Sequence, residues 1–196
     1  MTFVLGLTGS IGMGKSTVAR FFREAGIPVH DSDASVHALY RGEAVPLIEA
    51  KFQSVNENGV INREKLGQIV LNNPEKLQIL ESIIHPLVRQ NQADFIATCR
   101  VQAKRFCVLE IPLLFETNAQ QRCDAIVVVS APEKNQRTRV LARPNMTIER
   151  FNTILKKQWP DARKRQFSHF IVETSGSFEA TKKQTRAILR ALSHQG

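Results

Sequence analysis

The chain predicts a three-layer α/β fold, a parallel sheet with helices on both faces. Three observations carry that expectation. Short apolar runs alternate with stretches of helical periodicity, the pattern of strand–helix–strand crossovers. A glycine-rich loop follows the first run and opens a helix. Hydrophobic and charged fractions of 42% and 23% are those of a globular protein, and no apolar run approaches the ~20 residues of a membrane span.

Phe3-Val4-Leu5-Gly6-Leu7 contains no polar side chain and reads as a buried parallel strand. Residues 9–16, Gly9-Ser10-Ile11-Gly12-Met13-Gly14-Lys15-Ser16, match the spacing G-x-x-x-x-G-K-[ST]. Glycines let such a loop turn tightly and aim its N–H groups at an anion. The following helix adds its N-terminus. Lys15 then reaches terminal phosphates, and the Ser16 hydroxyl offers a ligand to Mg²⁺. Val18, Phe21, Phe22 and Ala25 recur at helical spacing before Gly26 and Pro28 end that helix.

Further strands are expected at Ile27-Pro28-Val29-His30, Phe106 to Glu110, Ala125 to Val129 and Phe170-Ile171-Val172, with a last helix from about Phe178 to Leu192. Residues 34–104 show no strand pattern and read as several helices, one long and starting near Glu75, with a turn at Asn58-Gly59. Some 70 residues far exceed a crossover. They predict a helical insertion at the sheet's C-terminal edge, where ligands bind in such folds. In residues 134–165 the segment Arg143-Pro144-Asn145-Met146 interrupts a helical pattern. Helix, break, helix is the shape of a mobile lid.

The net charge of +9 is concentrated there: residues 134–165 hold ten basic side chains against Glu149 and Asp161. Such a cluster suits a polyanion, a phosphorylated small molecule or a nucleic acid; for individual side chains a solvated helical face explains the charge as well. Cys99, Cys107 and Cys123 are odd in number and form no C-x-x-C pair. Neither a disulfide scaffold nor a zinc site is expected, which suits a reducing cytoplasm. The N-terminus lacks the basic start of a leader peptide.

Several polar residues stand where chemistry is expected. Asp31 and Asp33 follow the second strand and suit orientation of a hydroxyl or a water-mediated hold on Mg²⁺; Asp33 equally suits the N-cap of a helix starting near Ala34. Glu110 closes the third strand, either as a metal partner of the phosphate loop or as an exposed strand-end carboxylate. Glu116 reads as a substrate contact or a surface residue. His85, beside Pro86, reads as structural or as a substrate contact. Trp159 and Tyr40 lack a stacking pattern and are expected to pack.

In order along the chain, Gly6 to Thr17, Asp31-Ser32-Asp33, Asn58-Gly59 with Asn62-Arg63 and Leu66, His85-Pro86-Leu87-Val88, Pro112-Leu113-Leu114-Phe115-Glu116, Gln136 to Arg143, Gln158 and Ser175-Gly176 resemble the dephospho-coenzyme A kinase family. The resemblance implies a P-loop kinase fold with a five-stranded parallel sheet, a helical CoA domain and a lid. It implies transfer of the ATP γ-phosphate to the ribose 3′-hydroxyl of dephospho-CoA, the final step of coenzyme A biosynthesis, with Mg²⁺. Asp33 matches the catalytic aspartate, assisted by Lys15 and Arg143. Gly9, Gly12, Met13, Gly14, Lys15, Ser16, Thr17, Arg139 and Arg143 match the ATP site. Asp33, His85, Leu114 and Glu116 match the acceptor site, and Ser16 with Asp31 or Glu110 the metal site. The chain departs from the family at Glu110 for an aspartate, Thr174 for an asparagine and Ile154 for a basic residue. A GTPase would carry Asn-Lys-x-Asp and Asp-x-x-Gly, and neither occurs. No nucleic-acid motif accompanies the basic cluster, so ATP and dephospho-CoA are the expected partners, without nucleic acid or membrane.

Overall fold

The computed structural model describes residues 1–71 and 73–193. They divide into two compact units, Met1–His30 with the chain from Thr98 onward, and Asp31–Ala97. In the first unit β1 (Phe3–Thr8) leads into α1 (Lys15–Glu24), and β2 (Val29–Asp31) marks the passage to the second. The second unit holds α2 (Ser32–Leu39), α3 (Ala44–Glu49), β3 (Asn56–Glu57), β4 (Val60–Ile61), α4 (Arg63–Val70) and most of α5 (Pro74–Val101). The first unit resumes with β5 (Phe106–Glu110), β6 (Ala125–Ser130), α6 (Glu133–Leu141), α7 (Ile148–Lys156), α8 (Asp161–Gln166), β7 (Phe170–Glu173) and α9 (Phe178–Ser193).

The large sheet is five-stranded and parallel in the order β2-β5-β1-β6-β7. β1 lies at its centre, with Leu5 beside Val108 and Ala125, and Leu7 beside Glu110 and Val127. β5 and β6 are buried along their whole length. Strands covered on both faces need apolar residues at every position, which is why these runs do not alternate. Val18, Ala19 and Phe22 of α1 share a core with Leu5, Val127, Val172 and, from α9, Ile188 and Leu192. The second strand starts later than expected, at Val29. Pro28 has no N–H to give a ladder, and only its carbonyl takes part, accepting from Val108 N at 2.9 Å.

The second unit has its own core of Leu39, Ile48, Phe52, Val55, Ile61, Leu66, Val70, Leu80 and Ile84. Here the strandless expectation for residues 34–104 is corrected: β3 and β4 form an antiparallel ribbon. Asn58 (φ 54°) and Gly59 (φ 83°) make its turn, the double positive φ that suits a two-residue hairpin. Strands of two residues are too short to show an alternating pattern.

The cysteines are free. Burial pushes the thiols of Cys107 and Cys123 up to about 12, so at neutral pH they are protonated and behave as small hydrophobes. Among the described residues no helix is long and apolar enough to cross a membrane.

Candidate active site

The loop after β1 is shaped by backbone conformations that L side chains avoid. Gly12 has φ 78° and Gly14 φ 93°. A Cβ on Gly12 would run into the Val140 side chain, and one on Gly9 would stand 2.6 Å from the Val129 carbonyl oxygen. Met13 N donates to Ser10 O (3.1 Å) and Thr17 N to Gly14 O (3.0 Å). Among the described residues none accepts from the amides of Gly12, Gly14, Lys15 or Ser16. Unspent donors at the N-terminus of α1 form an anion site. Ser16 is exposed and Thr17 half-buried beside it.

Lys15 and Glu110 meet. Lys15 Nζ donates to Glu110 Oε1 at 2.6 Å, while Arg23 Nη2 stands 3.6 Å from Oε2. The Glu110 side chain is only 4% exposed, which overturns its reading as an exposed strand-end carboxylate. Two cations compensate what would otherwise be a costly buried charge.

The N-cap of α2 is Asp31 rather than Asp33. Asp31 Oδ1 accepts from Asp33 N and Ala34 N, both at 3.0 Å. Asp33 sits in the first turn of α2 with its side chain exposed, free of the capping role. His85 is exposed on α5, next to the internal Pro86.

The phosphate loop is held from behind. The peptide groups of Ile11 are gripped twice: Ile11 N donates to Gln158 Oε1 (3.0 Å), and Gln136 Nε2 donates to Ile11 O (2.7 Å). Ala131 N donates to Met13 Sδ, and Thr174 Oγ1 donates to Met13 O at 2.7 Å. Arg139 in turn donates from Nη1 to Thr174 Oγ1 (2.9 Å) and from Nη2 to Thr174 O. Thr174 thus ties Arg139 to the loop. Ser10, Met13, Ser130, Gln136, Gln158 and Trp159 are among the residues lining a cavity of about 550 Å³.

The basic segment breaks as expected between α6 and α7, with Asn145 at φ 57°. Arg143 stands exposed just beyond α6. Two further expectations are corrected. Leu114 is completely buried, so its side chain has no surface to offer a substrate. Glu116 is not a surface residue: Oε1 accepts from Trp159 N (2.6 Å) and pairs with Lys164 Nζ (2.9 Å), and Oε2 is buried with no hydrogen-bond partner among the described residues. Trp159 packs as expected, and it does so by stacking: its ring is 5.5 Å from that of Phe115 and tilted by 8°, with Phe167 against its edge and the Arg163 guanidinium 3.5 Å above it. Tyr40 packs against the core of the second unit, as expected.

Sequence reading missed the parts played by Gln136, Gln158, Arg23 and Lys164. Each works through a partner far along the chain, and the first two were visible only as members of a family pattern.

A family model for dephospho-CoA kinase matches residues 3–180. The chain belongs to the dephospho-CoA kinase family. It is 51% identical over 192 residues to a dephospho-CoA kinase of Agrobacterium fabrum, covering 98% of this chain and 99% of that one. A crystal structure of a Thermus thermophilus protein superposes with TM-score 0.85 at 32% identity, covering 97% and 98% of the two chains. A dephospho-CoA kinase from Campylobacter jejuni shares the fold, with TM-score 0.67 at 22% identity over 97% of each chain. Membership makes the chain an ATP-dependent phosphotransferase of coenzyme A biosynthesis, with the P-loop kinase fold.

Proposed function

We propose that this dephospho-CoA kinase transfers the ATP γ-phosphate to the ribose 3′-hydroxyl of dephospho-CoA with the phosphate loop holding ATP and Asp33 holding the acceptor hydroxyl. The observation that carries the reading is the glycine-shaped loop whose unspent amides open α1 beside Lys15. Phosphoryl transfer passes through a loose transition state, so positioning and charge neutralisation do most of the work. The amides of Gly12, Gly14, Lys15 and Ser16 cradle the phosphates. Lys15 turns its ammonium to the β/γ oxygens, and Arg23 stays with Glu110 to limit the cost of that exchange. Arg139 and Arg143 add charge from the lid, residues 134–165, whose closure excludes water. Asp33 orients the hydroxyl and takes its proton late. His85 contacts dephospho-CoA in the helical insertion.

The donors suit Mg²⁺. The exposed Ser16 hydroxyl opens α1, and Glu110 closes β5 beside Lys15. Among the described residues no three His, Cys, Asp or Glu gather as a ready-made metal cage. Few, hard oxygen donors are what a cation taking most ligands from phosphate and water requires. Bound there, it would neutralise charge on the phosphate oxygens.

The substrates are small anions, with no nucleic acid, and the chain works in the cytoplasm. Half of the basic cluster is committed to contacts within the chain, which favours a local phosphate site over an extended polyanion surface. The test is ADP release with dephospho-CoA against a panel of nucleosides and nucleoside monophosphates. Dephospho-CoA should be preferred by orders of magnitude. In the same assay Asp33→Asn should lose turnover severely while ATP affinity and thermal stability persist. A folded Asp33→Asn enzyme with wild-type turnover would refute its role.

A further inference from the structure

We infer that Glu116 and Lys164 are positioning residues: together they seat Gln158 on the phosphate loop and so govern ATP binding without touching either substrate. The inference rests on the reading of that loop as the ATP site.

Both hydrogen-bonding groups of the Ile11 backbone are taken by glutamine side chains, Gln136 from α6 and Gln158 from the stretch after α7. Ile11 lies between Gly9 and Gly12. Fixing its peptide groups from behind holds the curve of the loop and leaves the amides of Gly12, Gly14, Lys15 and Ser16 for phosphate. The two grips are built differently. Gln136 is a buried helical residue, 5% exposed, and its helix fixes it. Gln158 follows the C-terminal end of α7, tied to it by one bond from its N–H to Leu155 O (3.0 Å), and precedes Pro160.

The neighbouring residue supplies a second hold. Trp159 N donates to Glu116 Oε1, and the same oxygen pairs with Lys164 Nζ. Lys164 is completely buried. The Trp159 ring lies flat on Phe115, the residue before Glu116. Backbone and ring of Trp159 are therefore both seated on the Phe115-Glu116 pair. The Gln158 amide is aimed from that seat. A buried ion pair is weak evidence for stability, because apolar groups of similar volume often do as well. Its value here is geometric: one carboxylate oxygen fixes where the basic segment rejoins the loop.

The test compares Gln158→Met, the neutral pair Glu116→Met/Lys164→Met, which removes the acceptor of Trp159 N–H along with both charges, and their combination. Initial rates are taken with ATP and dephospho-CoA varied separately, with thermal unfolding in parallel. Gln158→Met strands a backbone N–H and should raise KM for ATP on the order of tenfold with a small fall in Tm, and leave KM for dephospho-CoA unchanged. The neutral pair should show the same ATP-specific rise, and the combination should add nothing further, because all act through one contact. Wild-type KM for ATP in Gln158→Met or in the neutral pair, equal rises for both substrates, or additive effects would overturn the proposal. If the neutral pair does not fold, Phe115→Leu unseats the Trp159 ring and must give the same ATP-specific rise. A wild-type enzyme inactive on dephospho-CoA would refute the functional reading instead. ATP affinity, read from the fluorescence of Trp159, would then decide the Gln158 contact on the same variants.

Discussion

At the scale of single residues, the phosphate loop was legible because its whole mechanism lies in consecutive positions. Gly12 and Gly14 need positive φ, and the sequence spells them out with Lys15 and Ser16 in place. The partner of Lys15 was not legible as such. Glu110 is 95 residues away, and only the sheet register, with Glu110 beside Leu7, brings it to the loop. This pairing changes what Lys15→Ala should do. Turnover should fall on the order of 10²–10³, the usual loss for one transition-state charge contact. The same change also strands a carboxylate that is only 4% exposed, with Arg23 at 3.6 Å as its remaining cation. Removing one partner of a buried pair is costly, so Tm should fall as well. Adding Glu110→Gln should restore Tm without restoring turnover. Thermal unfolding and initial rates on the two variants check this; a Lys15→Ala enzyme as stable as wild type would show that Arg23 alone satisfies Glu110.

Among the elements, β1, β5 and β6 were readable because strands covered on both faces must be apolar throughout. The helix break at Pro144 was readable because proline cannot sit inside a helix without losing a hydrogen bond. The β3–β4 ribbon was not, since two residues carry no period. Nor was the seat of Trp159, because Phe115, Trp159 and Phe167 come from separate segments and meet only after folding. The capping alternative offered for Asp33 lies two residues late. Either aspartate satisfies the composition rule, and what decides is which residue holds extended backbone. Asp31 does, at φ −96° and ψ 108°. An N-cap oxygen is worth about 1 kcal/mol, or roughly 2–4 °C in a chain of this size. Asp31→Ala should lose that much in thermal unfolding, and Asp31→Asn, which keeps the accepting oxygen, should lose almost none. Equal losses would mean that the negative charge near the helix N-terminus, rather than the hydrogen bonds, carries the effect.

For the molecule as a whole, the net charge of +9 was visible from composition, but which charges are available was not. Of the ten basic residues in 134–165, Lys164 is paired with Glu116 and Arg165 donates to Ser130 Oγ. Arg163 lies over Trp159, Arg139 is on Thr174, and Arg150 donates to Asn145 O. Lys134, Arg137, Arg143, Lys156 and Lys157 are exposed and, among the described residues, have no acidic partner. These five are the charge left for a ligand. Arg143 has the strongest claim, because a guanidinium can meet a phosphate with two parallel hydrogen bonds and a lysine cannot. It also stands just before the Pro144 break, where the lid proposed for residues 134–165 would carry it inward. Ile154, where the resemblance leads to the expectation of a basic residue, is half-buried on α7 three residues after the buried Phe151. An arginine there can lay its stem along the same apolar surface and keep its head in water. Arg143→Ala should therefore cut turnover more than tenfold, Lys157→Ala by less, and Ile154→Arg should match or exceed the wild type. The measurement is turnover at saturating ATP and dephospho-CoA. Unchanged turnover in Arg143→Ala, or a folded but inactive Ile154→Arg, would mean that the lid neutralises phosphate charge through other residues.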